Sequence, residues 1–87
     1  MQLKTLNDFF IKAASDVNKL DTKPDNDTLL ELYSFYKQGT VGDNNTDSPG
    51  FFDFKGNLKW NAWIKIKGMS KNDAQMNYIK LVKKLIE

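Results

Sequence analysis

Apolar residues return every three or four positions in four separate stretches of this chain, and the rhythm vanishes from Gly42 to Gly56. That spacing places one apolar stripe on each of four helices. No stretch shows the strict alternation of a half-buried strand. The first stretch runs from Asn7 to Leu20: Phe9, Phe10, Ala13, Ala14, Val17 and Leu20 form the stripe, with Lys12, Asp16 and Lys19 between them. Pro24 ends it, because a proline pushes the residue before it out of helical geometry. The second runs from Asp27 to Val41, with Asp25, Asn26 or Asp27 as N-cap and Leu29, Leu30, Tyr33, Tyr36 and Lys37 at helical spacing. The third spans Gly56 to Lys67 with Leu58, Trp60, Ala62, Trp63 and Ile66, and Gly68 stops it. Ser70-Lys71-Asn72-Asp73 reads as a capping-box start for the fourth, which carries Ala74, Tyr78, Ile79, Val82, Leu85 and Ile86. Lys80, Lys83 and Lys84 lie in its last turns, where cations complement the helix dipole.

The interval from Gly42 to Gly56 is rich in turn formers: Asp43, Asn44, Asn45, Asp47, Ser48, Pro49 and Gly50. A connection of this length in so small a chain tends to be functional. Phe51, Phe52 and Phe54 are expected to anchor it to the body. With 87 residues, no internal repeat and no linker, residues 1–87 make one domain. A domain of this size buries only roughly 60% of its unfolded surface, so a few well-patterned elements must supply the core.

Composition removes several function classes. The chain has no Cys, which excludes disulfides, thiolate metal sites and thiol catalysis. It has no His, the commonest general base and metal ligand. A non-enzymatic protein is therefore expected, with no metal and no cofactor. The net charge is +2 and every cation is Lys; without Arg, bidentate reading of duplex bases is disfavoured. Lysine still serves as a point-charge partner for phosphate. The segment Met1–Asp8 lacks a continuous apolar run, and nothing approaches the ~20 apolar residues of a membrane span. A cytoplasmic monomer without integral membrane association is the expectation.

Two groups of residues suggest chemistry. Tyr33 and Lys37, four apart, share a helix face, with Tyr36 beside them. A tyrosine ring next to an ammonium suits an aromatic base joined to a phosphate. On these residues alone, core aromatics beside a solvated lysine are the favoured description. In Asp53-Phe54-Lys55-Gly56-Asn57-Leu58-Lys59-Trp60-Asn61-Ala62-Trp63, Lys55 and Lys59 again stand four apart next to two tryptophans. The pattern is either a pair of core tryptophans with a charged rim or an anion site. Tyr78 interrupts an otherwise aliphatic stripe. The glycines match neither GxGxxG nor a P-loop, and Asp43, Asp47 and Asp53 lack calcium-loop spacing.

Taken together and in order, these motifs resemble the acyl-CoA-binding protein (ACBP) family from about Phe10 to Leu85. The matching stretches are Tyr33-Ser34 with Tyr36-Lys37-Gln38; Thr40-Val41-Gly42-Asp43 with Asn45; Pro49-Gly50; Asp53-Phe54-Lys55-Gly56; Lys59-Trp60; Ala62-Trp63; Lys67-Gly68 with Ser70; and Ala74 with Tyr78-Ile79. The resemblance implies an all-α, four-helix up-down-down-up bundle of the acyl-CoA-binding protein type. It also implies a ligand, a long-chain acyl-CoA, carried reversibly. By the same resemblance, Tyr33 and Lys37 meet the adenosine 3′-phosphate end, Lys59 contacts the same phosphate region, and Tyr78 packs near the adenine. Tyr36 and Lys55 match further ligand-lining positions. Leu29 and Leu30 sit where the family lines the acyl-chain groove. Asn18 stands at a groove position where relatives often carry Lys, which implies the loss of one positive contact. Gly39 stands in place of an expected Ala, and because glycine costs roughly 0.5–1 kcal/mol within a helix, the second helix is expected to fray or end early there.

Acyl-CoA joins an anionic head to an apolar tail, and binding it needs neither nucleophile nor base. The rival from another class is a helical protein-binding module, or a single-stranded nucleic-acid binder using lysines for phosphates and aromatics for bases. The absence of Arg and the small net charge argue against nucleic acid as a partner.

Overall fold

The computed structural model describes residues 3–87, and these form four helices and no strand. Helix α1 spans Leu6–Val17, α2 Asn26–Thr40, α3 Phe54–Ile64 and α4 Lys71–Ile86. The all-α architecture expected from periodicity is present, with boundaries displaced where polar side chains intervene.

Helix α1 starts earlier than its stripe suggests because Thr5 and Asp8 form a complete capping box. The Thr5 Oγ1 accepts from the Asp8 N–H at 3.2 Å, and the Asp8 Oδ2 accepts from the Thr5 N–H at 3.0 Å. It ends at Val17 rather than Leu20: the Asn18 Nδ2 donates to the Ala14 carbonyl at 3.2 Å, and the backbone tightens into i→i+3 bonds over residues 18–20. At α4 the expected Ser70 cap is present, its Oγ accepting from the Asp73 N–H at 3.0 Å. Helix α3 begins at Phe54 and not at Gly56. Asp53 caps it, with its Oδ1 accepting from the Gly56 N–H at 2.9 Å. A Cβ on Gly56 would crowd the Asp53 carboxylate, which would have to shift to keep this cap.

Gly39 does not shorten α2, which continues to Thr40. It is buried against α4, where a Cβ would stand 3.0 Å from the Gln75 Cγ and 3.4 Å from the Phe10 Cζ. The Gln75 Nε2 donates to the Gly39 carbonyl at 3.0 Å. Close packing and this bond between helices offset the weaker helix propensity.

The core is formed by Phe10 and Ala13 of α1, Leu32 of α2, and Tyr78 and Val82 of α4. Helix α4 packs on α1 and α2, while α3 packs on α2 alone among the described helices. The Cα envelope is 50 × 29 × 14 Å, thin enough for two layers of helix and no more. Among the described residues, helix α3 touches neither α1 nor α4, so a broad face opens between the α1–α2 side and α3.

The long connection is fastened by indoles and amides instead of phenylalanines. The Trp63 Nε1 donates to the Gly42 carbonyl at 2.9 Å and to the Gln38 Oε1 at 3.1 Å. The Gln38 Nε2 donates to the Asp43 Oδ1 and to the Met69 carbonyl, both at 2.8 Å. The Trp60 Nε1 donates to the Thr46 carbonyl at 3.1 Å, and Asn44, 2% exposed, accepts from the Thr46 N–H and hydroxyl. Phe51 and Phe52 are each 82% exposed and Phe54 69%, which corrects their expected anchoring role. Buried indole N–H groups must find acceptors, and the loop carbonyls supply them; the phenylalanines have no such requirement.

Candidate ligand-binding cleft

The open face holds a cleft of about 980 Å³, within the usual size of small-molecule sites. Ala14 and Val17 of α1 and Leu29, Leu30 and Leu32 of α2 give it an apolar floor; Leu58 of α3 faces them. Tyr33, Tyr36 and Tyr78 add aromatic surface, and Lys55 and Lys59 project from α3. The α1–α2 connection lines one end with Leu20, Asp21, Lys23 and Pro24, joined by Asn26 at the start of α2.

Local sequence explains the placements. Leu29, Tyr33 and Tyr36 follow i, i+4, i+7 on α2 and share a face. Lys55 and Lys59 share a face of α3 one turn apart, fixed by the Asp53 cap. The Lys59 Nζ stands 5.4 Å from the centre of the Tyr33 ring, a cation–π contact from α3 to α2. Tyr36 and Tyr78 rings are 5.9 Å apart, and Phe10 of α1 lies against both, at 5.6 and 5.1 Å, meeting Tyr78 edge-on at 76°. Tyr78 is 4% exposed, and burial raises its phenol pKa, with a smaller push from the neighbouring Tyr36. At neutral pH it is an uncharged hydroxyl beside the cleft.

Of the residues singled out from sequence, Asn18, Leu29, Leu30, Tyr33, Tyr36, Lys55, Lys59 and Tyr78 all line this one cleft. Lys37 does not. Its Nζ lies 5.0 Å from the Trp63 ring centre, on the side of α2 that packs on α3. Trp63 is buried and belongs to the loop fastening, as the core description of the tryptophans has it. Asn18 lines the cleft with its amide already bonded to Ala14, so it adds no cation. Two contributors were not legible. Lys23 reads in sequence only as part of a helix stop, and nothing in its spacing marks it as a cleft residue. Phe10 reads as one member of a stripe, and nothing in its spacing reveals that it braces two tyrosines.

A small helical bundle with an open cleft, apolar on its floor and lysine- and tyrosine-lined at its wall, has the makings of a binder for an amphipathic anion. Comparison with known proteins makes the assignment specific. The family described as Acyl CoA binding protein matches residues 7–82. Acyl-CoA-binding protein homolog 1 of Caenorhabditis elegans is 57% identical over 77 residues, covering 88% of this chain and 90% of the relative. The acyl-CoA-binding protein of Saccharomyces cerevisiae is 51% identical over 81 residues, 93% of each chain. The crystal structure of Oryza sativa Acyl-CoA-Binding Protein 2 superposes with a TM-score of 0.90 at 39% identity, over 94% of this chain and 91% of that one. The solution structure of the yeast acyl coenzyme A binding protein gives a TM-score of 0.72 at 53% identity, over 88% and 90%. The chain belongs to the acyl-CoA-binding protein family and has its four-helix bundle.

Proposed function

We propose that the protein is a reversible, non-catalytic carrier of long-chain acyl-CoA esters that works as a cytoplasmic monomer without a cofactor. The observation that carries this reading is the cleft itself, which joins an apolar floor to a wall of lysines and tyrosines. A CoA head offers an aromatic base and several phosphates; an acyl tail offers methylenes, each worth about 0.8 kcal/mol when buried. A sixteen-carbon tail thus supplies on the order of 10 kcal/mol before the entropy of association is subtracted. Leu29, Leu30, Val17 and Leu58 are the surface for that tail. Tyr33, Tyr36 and Tyr78 receive the base, while Lys55, Lys59 and the connection lysine Lys23 meet phosphates. Lys37, one turn beyond Tyr33, joins them when its flexible side chain leaves the Trp63 ring. Neither nucleophile nor general base is called for, in keeping with a chain that has no Cys and no His.

Titration calorimetry with palmitoyl-CoA, free CoA and palmitate tests the proposal. Tight one-to-one binding of the ester, with both fragments far weaker, is expected. Equal affinity for free CoA would leave the apolar floor without a role, and turnover of the ester would replace a carrier with an enzyme.

A further inference from the structure

Phe51, Phe52 and Phe54 form an apolar protrusion beside the cleft, and Leu58, four residues after Phe54 on α3, is 56% exposed. The Phe51 and Phe52 rings pack edge to face on each other at 5.2 Å. The protrusion is a held turn: the Asp53 N–H donates to the Gly50 carbonyl at 2.9 Å, and the Asn57 Nδ2 donates to the Gly50 carbonyl at 3.0 Å and to that of Asp53 at 2.9 Å. A soluble domain gains nothing from holding three aromatic rings in water, so a cluster of this kind marks a contact surface.

Charge selects the partner. From Phe54 to Gly68 the chain carries Lys55, Lys59, Lys65 and Lys67 and no Asp or Glu, and all four lysines are exposed. The preceding acid, Asp53, has its carboxylate turned onto the Gly56 N–H as a cap. On α3, Phe54, Leu58 and the capping residue Lys65 lie along one side by helical spacing, opposite the buried Trp63. An apolar tip continued by a helix whose charged side chains are all lysines matches an anionic bilayer surface, the acid Asp47 lying ahead of the tip in the connection: aromatic rings enter the boundary between headgroups and acyl chains while lysines meet lipid phosphates.

We propose that the Gly50–Leu58 segment docks on anionic phospholipid bilayers, with Phe51, Phe52 and Phe54 inserted and Lys55 and Lys65 against the headgroups. Because Lys55 and Leu58 also line the cleft, docking sets the cleft mouth at the lipid surface. The proposal concerns the unliganded protein and does not depend on which ligand the cleft takes.

Co-sedimentation with phosphatidylcholine vesicles, and with vesicles containing about one third phosphatidylserine, tests it. The unliganded protein is expected to bind the anionic vesicles, and to release as salt rises toward about 0.5 M and screening shortens the range of the lysines. The double variant Phe51→Ser/Phe52→Ser is expected to bind them on the order of tenfold more weakly. It should keep its circular dichroism and its palmitoyl-CoA affinity, since both rings are solvent-exposed and outside the cleft. Ile11→Ser, at an exposed position on α1, should bind vesicles like the parent. Three results would each overturn the proposal: no partition of the parent to the anionic vesicles, undiminished binding by the double variant, or an equal loss in Ile11→Ser.

Discussion

The Lys59 ammonium stands 5.4 Å from the centre of the Tyr33 ring and ties α3 to α2 at the cleft wall. An exposed cation–π contact is worth only about 0.5–1 kcal/mol, so the pair is weakly committed in the unliganded protein. Lys59→Ala should weaken palmitoyl-CoA binding by about 1.5–3 kcal/mol, the range for a hydrogen bond to a charged group. The thermal midpoint should move by only a few degrees. Calorimetry and a melting curve on one preparation check both. Unchanged affinity would take Lys59 out of the site.

Lys37 lies outside the cleft on the Trp63 ring, yet it is one turn from Tyr33. If it swings over to the phosphate that Lys59 meets, the two lysines act on one charge. Lys37→Ala should then cost about 1–3 kcal/mol of binding with little change in melting. In the double variant with Lys59→Ala the losses should fail to add, with a coupling of about 0.5–3 kcal/mol. Strict additivity would mean that Lys37 acts elsewhere.

The parts of the fold that follow from repeating patterns were legible in the sequence, and the parts that depend on single side chains were not. Helical spacing gave the four helices, and Pro24 and Gly68 marked breaks. The boundaries moved where one polar group intervened: Thr5 with Asp8 at the start of α1, Asn18 at its end, Asp53 ahead of α3. Gly39 misled because its helix propensity is a local property, while its packing against Gln75 and Phe10 involves distant parts of the chain. The phenylalanines misled for a related reason. Hydrophobicity alone predicts burial, yet the loop is held by groups that must make hydrogen bonds, Trp60, Trp63 and Gln38. Eight of the nine candidate residues converge on one cleft because they lie on shared helix faces; Lys37 stands apart because its neighbour Trp63 offers a closer resting place.

Phe10 sets the two inner tyrosines without lining the cleft, touching Tyr36 and Tyr78 and being 3% exposed itself. Phe10→Ala should destabilise the fold by about 3–5 kcal/mol, as truncation of a buried ring does. Phe10→Leu keeps most of the volume and separates the roles. Its stability loss should stay below about 1.5 kcal/mol, while palmitoyl-CoA affinity falls because both tyrosine rings lose their edge support. Urea unfolding and calorimetry measure the two effects. A Leu variant with full affinity would make Phe10 a core residue and nothing more.

Asp43 ties the long connection to the α3–α4 turn, its Oδ1 accepting from the Gly68 N–H and the Gln38 Nε2, both at 2.8 Å. These bonds, the Gly68 N–H foremost, hold its carboxyl below the ordinary carboxylate range; the Lys67 charge helps and partial desolvation opposes. Because the unfolded chain takes up a proton at Asp43 near the usual pKa of about 3.9, and the folded chain only at lower pH, protonation favours unfolding. The stabilisation is therefore complete above about pH 3.9 and is lost as pH falls through the folded value. Asp43→Asn removes the titration while keeping the shape. The variant should be less stable than the parent near neutral pH, and the gap should narrow as the solution is acidified. Asp8 and Asp25 are shifted the same way by their caps, so the parent's acid sensitivity should be reduced in the variant and not abolished. Urea unfolding at a series of pH values from about 7 down to about 2 gives the difference directly. A gap that stays constant through that range would show that the Asp43 charge contributes nothing to the fold and that its geometry alone is what the loop requires.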